Sequence, residues 1–199
     1  MEPFSADSLE AAFRKLSREL QSRRVHAHIY VVGGAAMALG FDGRRQSMDA
    51  VIKEGHGPVV EAVRRIGRRR GWPKTWLNEE AVPSMPRGPD GRARTVFGDR
   101  HLVVNSASAE HLLAMKVRAA RPKDQEDIAF LVRRLGLSSG REDLDLHDEV
   151  SPHDPPKGSS IERACKIPRN LWPHDRSLDR DDRYGLGLAP GTGRGGRSR

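Results

Sequence analysis

The run HAHIYVVGGAAMALG, from His26 to Gly40, constrains the fold more than any other part of this chain. HAHIYVV is short, β-branched and aromatic near its end, the composition of a buried strand, and it stops on glycine. Ala35 to Leu39 then offers a short helix before GFDG breaks it. A strand followed at once by two glycines and a helix start lets the backbone approach a phosphate closely. Glycine has no Cβ to hold the ligand away, and the first turn of a helix has N–H groups without partners.

Other periodicities supply the remaining elements. Leu9, Phe13, Leu16 and Leu20 recur at helical spacing, and Asp7 with Glu10 has the spacing of a capping box, which predicts an amphipathic first helix. Ala50 to Ile52, behind Ser47-Met48-Asp49, reads as a second strand beside the first. From Pro58 to Arg70, Val59, Val60, Val63 and Ile66 make one helical face, while Arg64, Arg65, Arg68, Arg69 and Arg70 take the other positions and the end, before Gly71. WPKTWLNEEAV reads as a short helix or an ordered loop, and PSMPRGPDGRA as a loop. RTVFGDRHLVV predicts a hairpin with the glycine of Gly98-Asp99 at its turn. After a cap at Ser106 or Ser108, EHLLAMKVRAA is a helix with Leu112, Leu113 and Met115 inward. Pro122 separates it from QEDIAFLVRRLG, where Ile128, Leu131, Val132 and Leu135 fit a helix ending at Gly136. REDLDLHDEV adds a last short helix. The alternation lacks the regular units of a doubly wound parallel sheet. It predicts a small mixed β-sheet with packed helices, an α/β or α+β domain over residues 1–150.

An apolar share of 36% over 199 residues suits one smaller domain plus a tail. Residues 151–199 are rich in Pro, Gly, Arg and Asp with no sustained period, which predicts a disordered basic tail. The only cysteine, Cys165, lies there, so no internal disulfide forms. The eight histidines offer no His-x-x-x-His pair on one helix, which argues against zinc. The start lacks a continuous apolar run, and no window approaches the roughly 18 to 20 apolar residues of a membrane span, so a cytoplasmic protein with no membrane partner is expected. A formal charge of +8 points to a polyanionic partner, with solubility as the plainer alternative.

Three devices use a glycine turn for phosphates. A P-loop needs Gly-Lys-Ser/Thr, and GGAAMALG has no lysine. A dinucleotide site needs G-x-G-x-x-G, and Gly33-Gly34-Ala35-Ala36-Met37-Ala38 gives only a loose version, with Glu54 as its acidic residue. The third is the nucleotidyltransferase arrangement, in which the glycine turn seats a triphosphate and the next strand carries carboxylates at i and i+2, on one face, for Mg²⁺.

In matching order, IYVVGGAAMALGFDGRR, MDAVI, HGPVVEAVRR, TWLNEEAV, RTVF and ASAEHLLAMKVRAARPKDQEDIAFLVRRLGL resemble the nucleotidyltransferase-fold family that includes the toxins of abortive-infection and mycobacterial toxin-antitoxin systems. The resemblance covers about Arg24 to Leu137. It implies a DNA-polymerase-β-like fold, Mg²⁺-dependent transfer of a nucleoside monophosphate from a nucleoside triphosphate, tRNA as acceptor and a cognate antitoxin as partner. By the same resemblance Gly33 and Gly34 match the glycine turn, and Ser47 and Asp49 the Ser/Thr-x-Asp that begins the metal strand. Lys116 matches a lysine that contacts phosphates, and Asp127 an acidic residue after it. Asp49 is then the metal ligand. Relatives read like Thr-Arg-Asp-x-Asp-Ala-Val, whereas Arg45-Gln46-Ser47-Met48-Asp49-Ala50-Val51 keeps one carboxylate, whichever way the motif is aligned.

Each residue also has a plainer role. Gly33-Gly34 can simply end a strand, Asp49 can sit at a strand edge, and Ser47 can bond nearby backbone. Lys116 can snorkel to solvent, and Asp124 and Asp127 can be first-turn residues placed by the helix dipole. Arg44, Arg45 and the Arg64 to Arg70 cluster are a solvated face, or contacts for triphosphate or RNA. Two functions follow: a nucleotidyltransferase toxin, or a catalytically degenerate copy that binds RNA or an antitoxin. No helix pair resembles a DNA-reading unit.

Overall fold

The computed structural model describes residues 4–43, 50–53, 57–72, 76–78, 83, 85–119 and 121–152. The segment predicted as a tail lies outside them from residue 153 onward. The architecture is mixed α+β. Helix α1 (Ala6–Ser22) leads into β1 (Ala27–Val32), α2 (Gly33–Gly40), β2 (Ala50–Lys53) and α3 (Gly57–Arg70). Then come β3 (Leu77–Asn78), the hairpin β4 (Arg94–Gly98) and β5 (Leu102–Ser106), and helices α4 (Ala109–Ala119), α5 (Gln125–Leu135) and α6 (Gly140–Val150).

The five strands form one sheet in the order β3-β2-β1-β5-β4. β1 is central, antiparallel to β2 and parallel to β5. Register sets Ile29 beside Val104 and Tyr30 beside Asn105, so alternate residues define two faces. Phe97 pairs with Val104, and Phe13 of α1 meets Phe97 at 6.1 Å, which puts α1 on the Ile29 face. Leu9, Phe13, Leu16 and Leu20 are all fully buried there, each contributing about 1.5–3 kcal/mol.

Three expectations need correcting. The cap of α1 is Ser5, whose Oγ accepts from the Ser8 amide at 3.2 Å; Asp7 lies inside the first turn and Glu10 pairs with Arg14. WPKTWLNEEAV supplies a strand, since Leu77 and Asn78 pair parallel with Ala50 and Val51. Its anchor is Trp76, fully buried, donating from Nε1 to the Val63 carbonyl at 2.9 Å and packed near Phe4 and Trp72. In the hairpin, Gly98 is the last strand residue, opposite Val103. Asp99 makes the turn, its Oδ1 accepting from the His101 and Leu102 amides at 2.8 and 2.9 Å. The helix stops at Gly71 and Gly136 fall as predicted, with φ of 67° and 68°. No described helix is long and apolar enough to cross a membrane.

α4 packs on both α5 and α6. Within α6, Asp143 is 1% exposed, and neither of its carboxylate oxygens has a hydrogen-bond partner among the described residues. Burial pushes its carboxyl up to about 7. The folded chain therefore holds a proton that the unfolded chain, titrating near 3.9, gives up. Stability falls as pH rises from about 4 to 7, and at 1.36 kcal/mol per pKa unit the loss is about 4 kcal/mol. Asp143→Asn should flatten that slope and raise stability at pH 8, read as urea midpoints between pH 4 and 8. An unchanged slope would rule out Asp143 as its source.

Candidate functional site

At the C-terminal end of β1, Val32 is extended and Gly33 opens α2 with φ of 67°, a conformation that side chains avoid. Among the described residues nothing beyond the chain neighbours lies within 4 Å of where a Cβ at Gly33 would stand, so there the conformation selects glycine. Both Gly33 and Gly34 are half-buried, and the N-cap residue of α2, Val32, offers no side-chain cap. The first N–H groups of that helix therefore lack an intrahelical partner. Val32 pairs with Val51, so β2 begins at the same end of the sheet as this turn. Asp49, Ser47 and Arg45, with Arg44 and Glu54, lie outside the described residues.

Lys116 and Asp127 are brought together, and Asp124 joins them. The Lys116 ammonium, only 4% exposed, lies 2.8 Å from Asp124 Oδ1 and 2.6 Å from Asp127 Oδ2. Arg121 Nε donates to the other Asp124 oxygen at 2.6 Å. Burial alone would raise the Asp124 carboxyl, but Lys116 and Arg121 hold it below the usual carboxylate range. The cluster ties α4 to the start of α5. Phosphate contact by Lys116 would require it to give up one of these carboxylates.

On the Tyr30 face of the sheet, a cleft of about 250 Å³ opens between β1, β5, the start of α4 and the segment before β4. Asp90 organises it. Its Oδ2 accepts from the Tyr30 hydroxyl at 2.6 Å and the Ser108 amide at 2.8 Å, and its Oδ1 from the Arg92 amide at 3.1 Å. His111 Nδ1 stands 3.7 Å from Asp90 and 3.4 Å from the Tyr30 oxygen. Burial opposes ionisation of Asp90, yet these donors keep its carboxyl below the usual range. Burial and the Asp90 hydrogen bond push the Tyr30 hydroxyl far above its ordinary value. Of these residues the sequence singled out only Ser108, as a helix cap, and none as part of a site. The only signals were polar His28 and Tyr30 at alternate strand positions, and an aspartate inside a Pro-Asp-Gly turn.

The arginine cluster belongs to the other side. Arg65 and Arg69 pair with Glu19 of α1 at 3.2 and 2.9 Å, and Arg64, Arg68 and Arg70 are exposed. α3 packs on α1, and α1 covers the face opposite the cleft.

No family model matches the chain, and neither a curated protein nor a solved structure is significantly similar to it.

Removing one member of a buried ion cluster strands the others. Lys116→Ala should cost about 3–5 kcal/mol in urea unfolding, whereas Lys116→Ala combined with Asp124→Ala and Asp127→Ala should cost less than the single change. A Lys116→Ala protein as stable as wild type would show that the cluster does not brace the helices.

Proposed function

We propose that the chain is a nucleotidyltransferase-like protein with a DNA-polymerase-β-like fold, acting as the toxin of a toxin-antitoxin pair on tRNA. The observation that carries this reading is the left-handed Gly33 at the end of central β1, opening a helix whose N-cap Val32 has no capping side chain, while β2 starts alongside. A turn of that form presents backbone donors to phosphate oxygens. A mixed sheet of five strands, with α1 packed on its Ile29 face, agrees with it.

In the proposed reaction an acceptor hydroxyl attacks the α-phosphorus of a nucleoside triphosphate. The new P–O bond forms as the bond to the bridging oxygen breaks, pyrophosphate leaves, and the hydroxyl proton passes to solvent or to a base. Gly33 and Gly34 seat phosphate oxygens, with Ser47 and Arg45 as further contacts. Asp49 is the hard oxygen ligand that this region offers to Mg²⁺. One carboxylate would suffice for an ion that takes its other oxygens from triphosphate and water, and such an ion would supply charge neutralisation at the phosphates. Lys116 and Asp127 serve this reading from the buried cluster that fixes α4 against α5.

The same cluster favours a second reading, because a lysine paired with two carboxylates has no charge left over for a phosphate. A degenerate copy that binds RNA or an antitoxin would bind RNA in a salt-sensitive way without turnover. Incubation of the protein with each labelled nucleoside triphosphate, Mg²⁺ and total tRNA separates the two. Label should enter tRNA, and Asp49→Ala should reduce the rate by at least about 100-fold, the scale of losing one electrostatic stabiliser. No transfer by wild type, or transfer unchanged in Asp49→Ala, contradicts the enzymatic reading.

A further inference from the structure

The cleft on the Tyr30 face has a shape and polarity that the glycine turn does not explain. Its volume of about 250 Å³ falls below the roughly 300–1,000 Å³ of sites for drug-sized ligands, so it takes one ring system and not a whole nucleotide. Its walls are planar or apolar: the rings of Tyr30 and His28, two residues apart on β1, face Met85, Pro86 and Pro89. One amide adds direction. Thr95 Oγ1 donates to Asn105 Oδ1 at 2.8 Å, which engages the oxygen and leaves the Asn105 amide N–H groups as donors. The floor is rigid, because Asp90 ties its own segment to Tyr30 and Ser108 at once. A preformed site of this kind spends little binding energy on ordering itself.

We propose that this cleft binds the base of a free nucleotide, with Asn105 donating to an acceptor on the ring edge, His28 and Tyr30 flanking the ring, and Asp90 as a positioning residue. The proposal rests on the reading of Gly33 as a phosphate turn and supplies the other end of the same ligand. Tyr30 precedes Gly33 by three residues, about 10 Å of extended strand. That is comparable with the distance from a base to the phosphates of its own nucleotide. Tyr30 and Asn105 pair in the C-terminal half of the parallel strands β1 and β5, nearer the turn, while His28 lies nearer the start of β1. A ring-edge acceptor is what uracil, cytosine and the purines all carry, so the amide selects for a base over a plain aromatic ring.

Saturation-transfer NMR on the full chain with the four nucleosides, without Mg²⁺, tests the cleft apart from the turn, because a nucleoside has no phosphate. Wild type should transfer saturation to base protons. Affinity should fall about tenfold in Asn105→Ala, the equivalent of about 1.4 kcal/mol, and by a similar factor in His28→Ala, whose exposed position spares the fold. Asp90→Asn should weaken binding while keeping the ring-edge preference of wild type. No saturation transfer to any nucleoside, or a loss under about threefold in both Asn105→Ala and His28→Ala, overturns the proposal. Signals from a short single-stranded RNA but from no free nucleoside also overturn it, since the cleft would then serve an acceptor strand. Nucleoside binding by a protein that transfers no nucleotide upholds the cleft and sinks the transferase reading alone.

Discussion

β1 is pinned from both sides, and the rest of the structure follows from that. Its antiparallel partner β2 is reached through α2, while its parallel partner β5 requires a long crossover, which residues between α2 and the hairpin supply. Because β1 and β5 run the same way, their ends coincide. The Ala107 amide donates to the Val31 carbonyl at 2.9 Å, which seats the start of α4 beside the glycine turn. Ser108 and His111 thereby come into reach of Tyr30 and Asp90. The left-handed turn at Gly33 and the cleft at Tyr30 are thus built on the same central strand.

Three buried aspartates show how partners and not depth set the charge state. Asp90 and Asp124 are desolvated, yet each gathers donors: Tyr30, Ser108 and Arg92 for the first, Lys116 and Arg121 for the second. Both carboxyls are held low. Asp143 has no such donors among the described residues, and its carboxyl rises. The two satisfied aspartates each join separate elements, a loop to the sheet and α4 to α5. A carboxylate used in this way stabilises position as much as energy, since an unpartnered buried charge is what any displacement would create.

Much of the fold was legible because its helices are amphipathic and their ends are marked. Leu9 to Leu20 and Ile128 to Val132 state their roles through period, and the glycines at 71 and 136 through their place just after it. β3 was not legible. Two residues of strand carry no period, and what fixes them is Trp76 lodged under α3, a contact remote in sequence. The turn at Gly33 was readable from its place after a strand. The cleft was not, because Tyr30, Asp90, Asn105 and His111 meet only through register and through the course of a loop. Lys116 and Asp127 were read as separate positions, whereas their spacing across Pro122 brings them together as one ion pair. Asp49, Ser47 and Arg45 lie outside the described residues, so the proposed metal role of Asp49 rests on residue types alone.

The most direct measurement is isothermal titration of the full chain with each nucleoside triphosphate, with and without Mg²⁺, beside a Gly33→Val variant. A phosphate-seating turn predicts saturable binding that Mg²⁺ strengthens, and its loss when a branched side chain is forced into the left-handed position at residue 33. Binding that ignores both Mg²⁺ and the Gly33 substitution in a folded protein, or no binding of any triphosphate, would contradict the account.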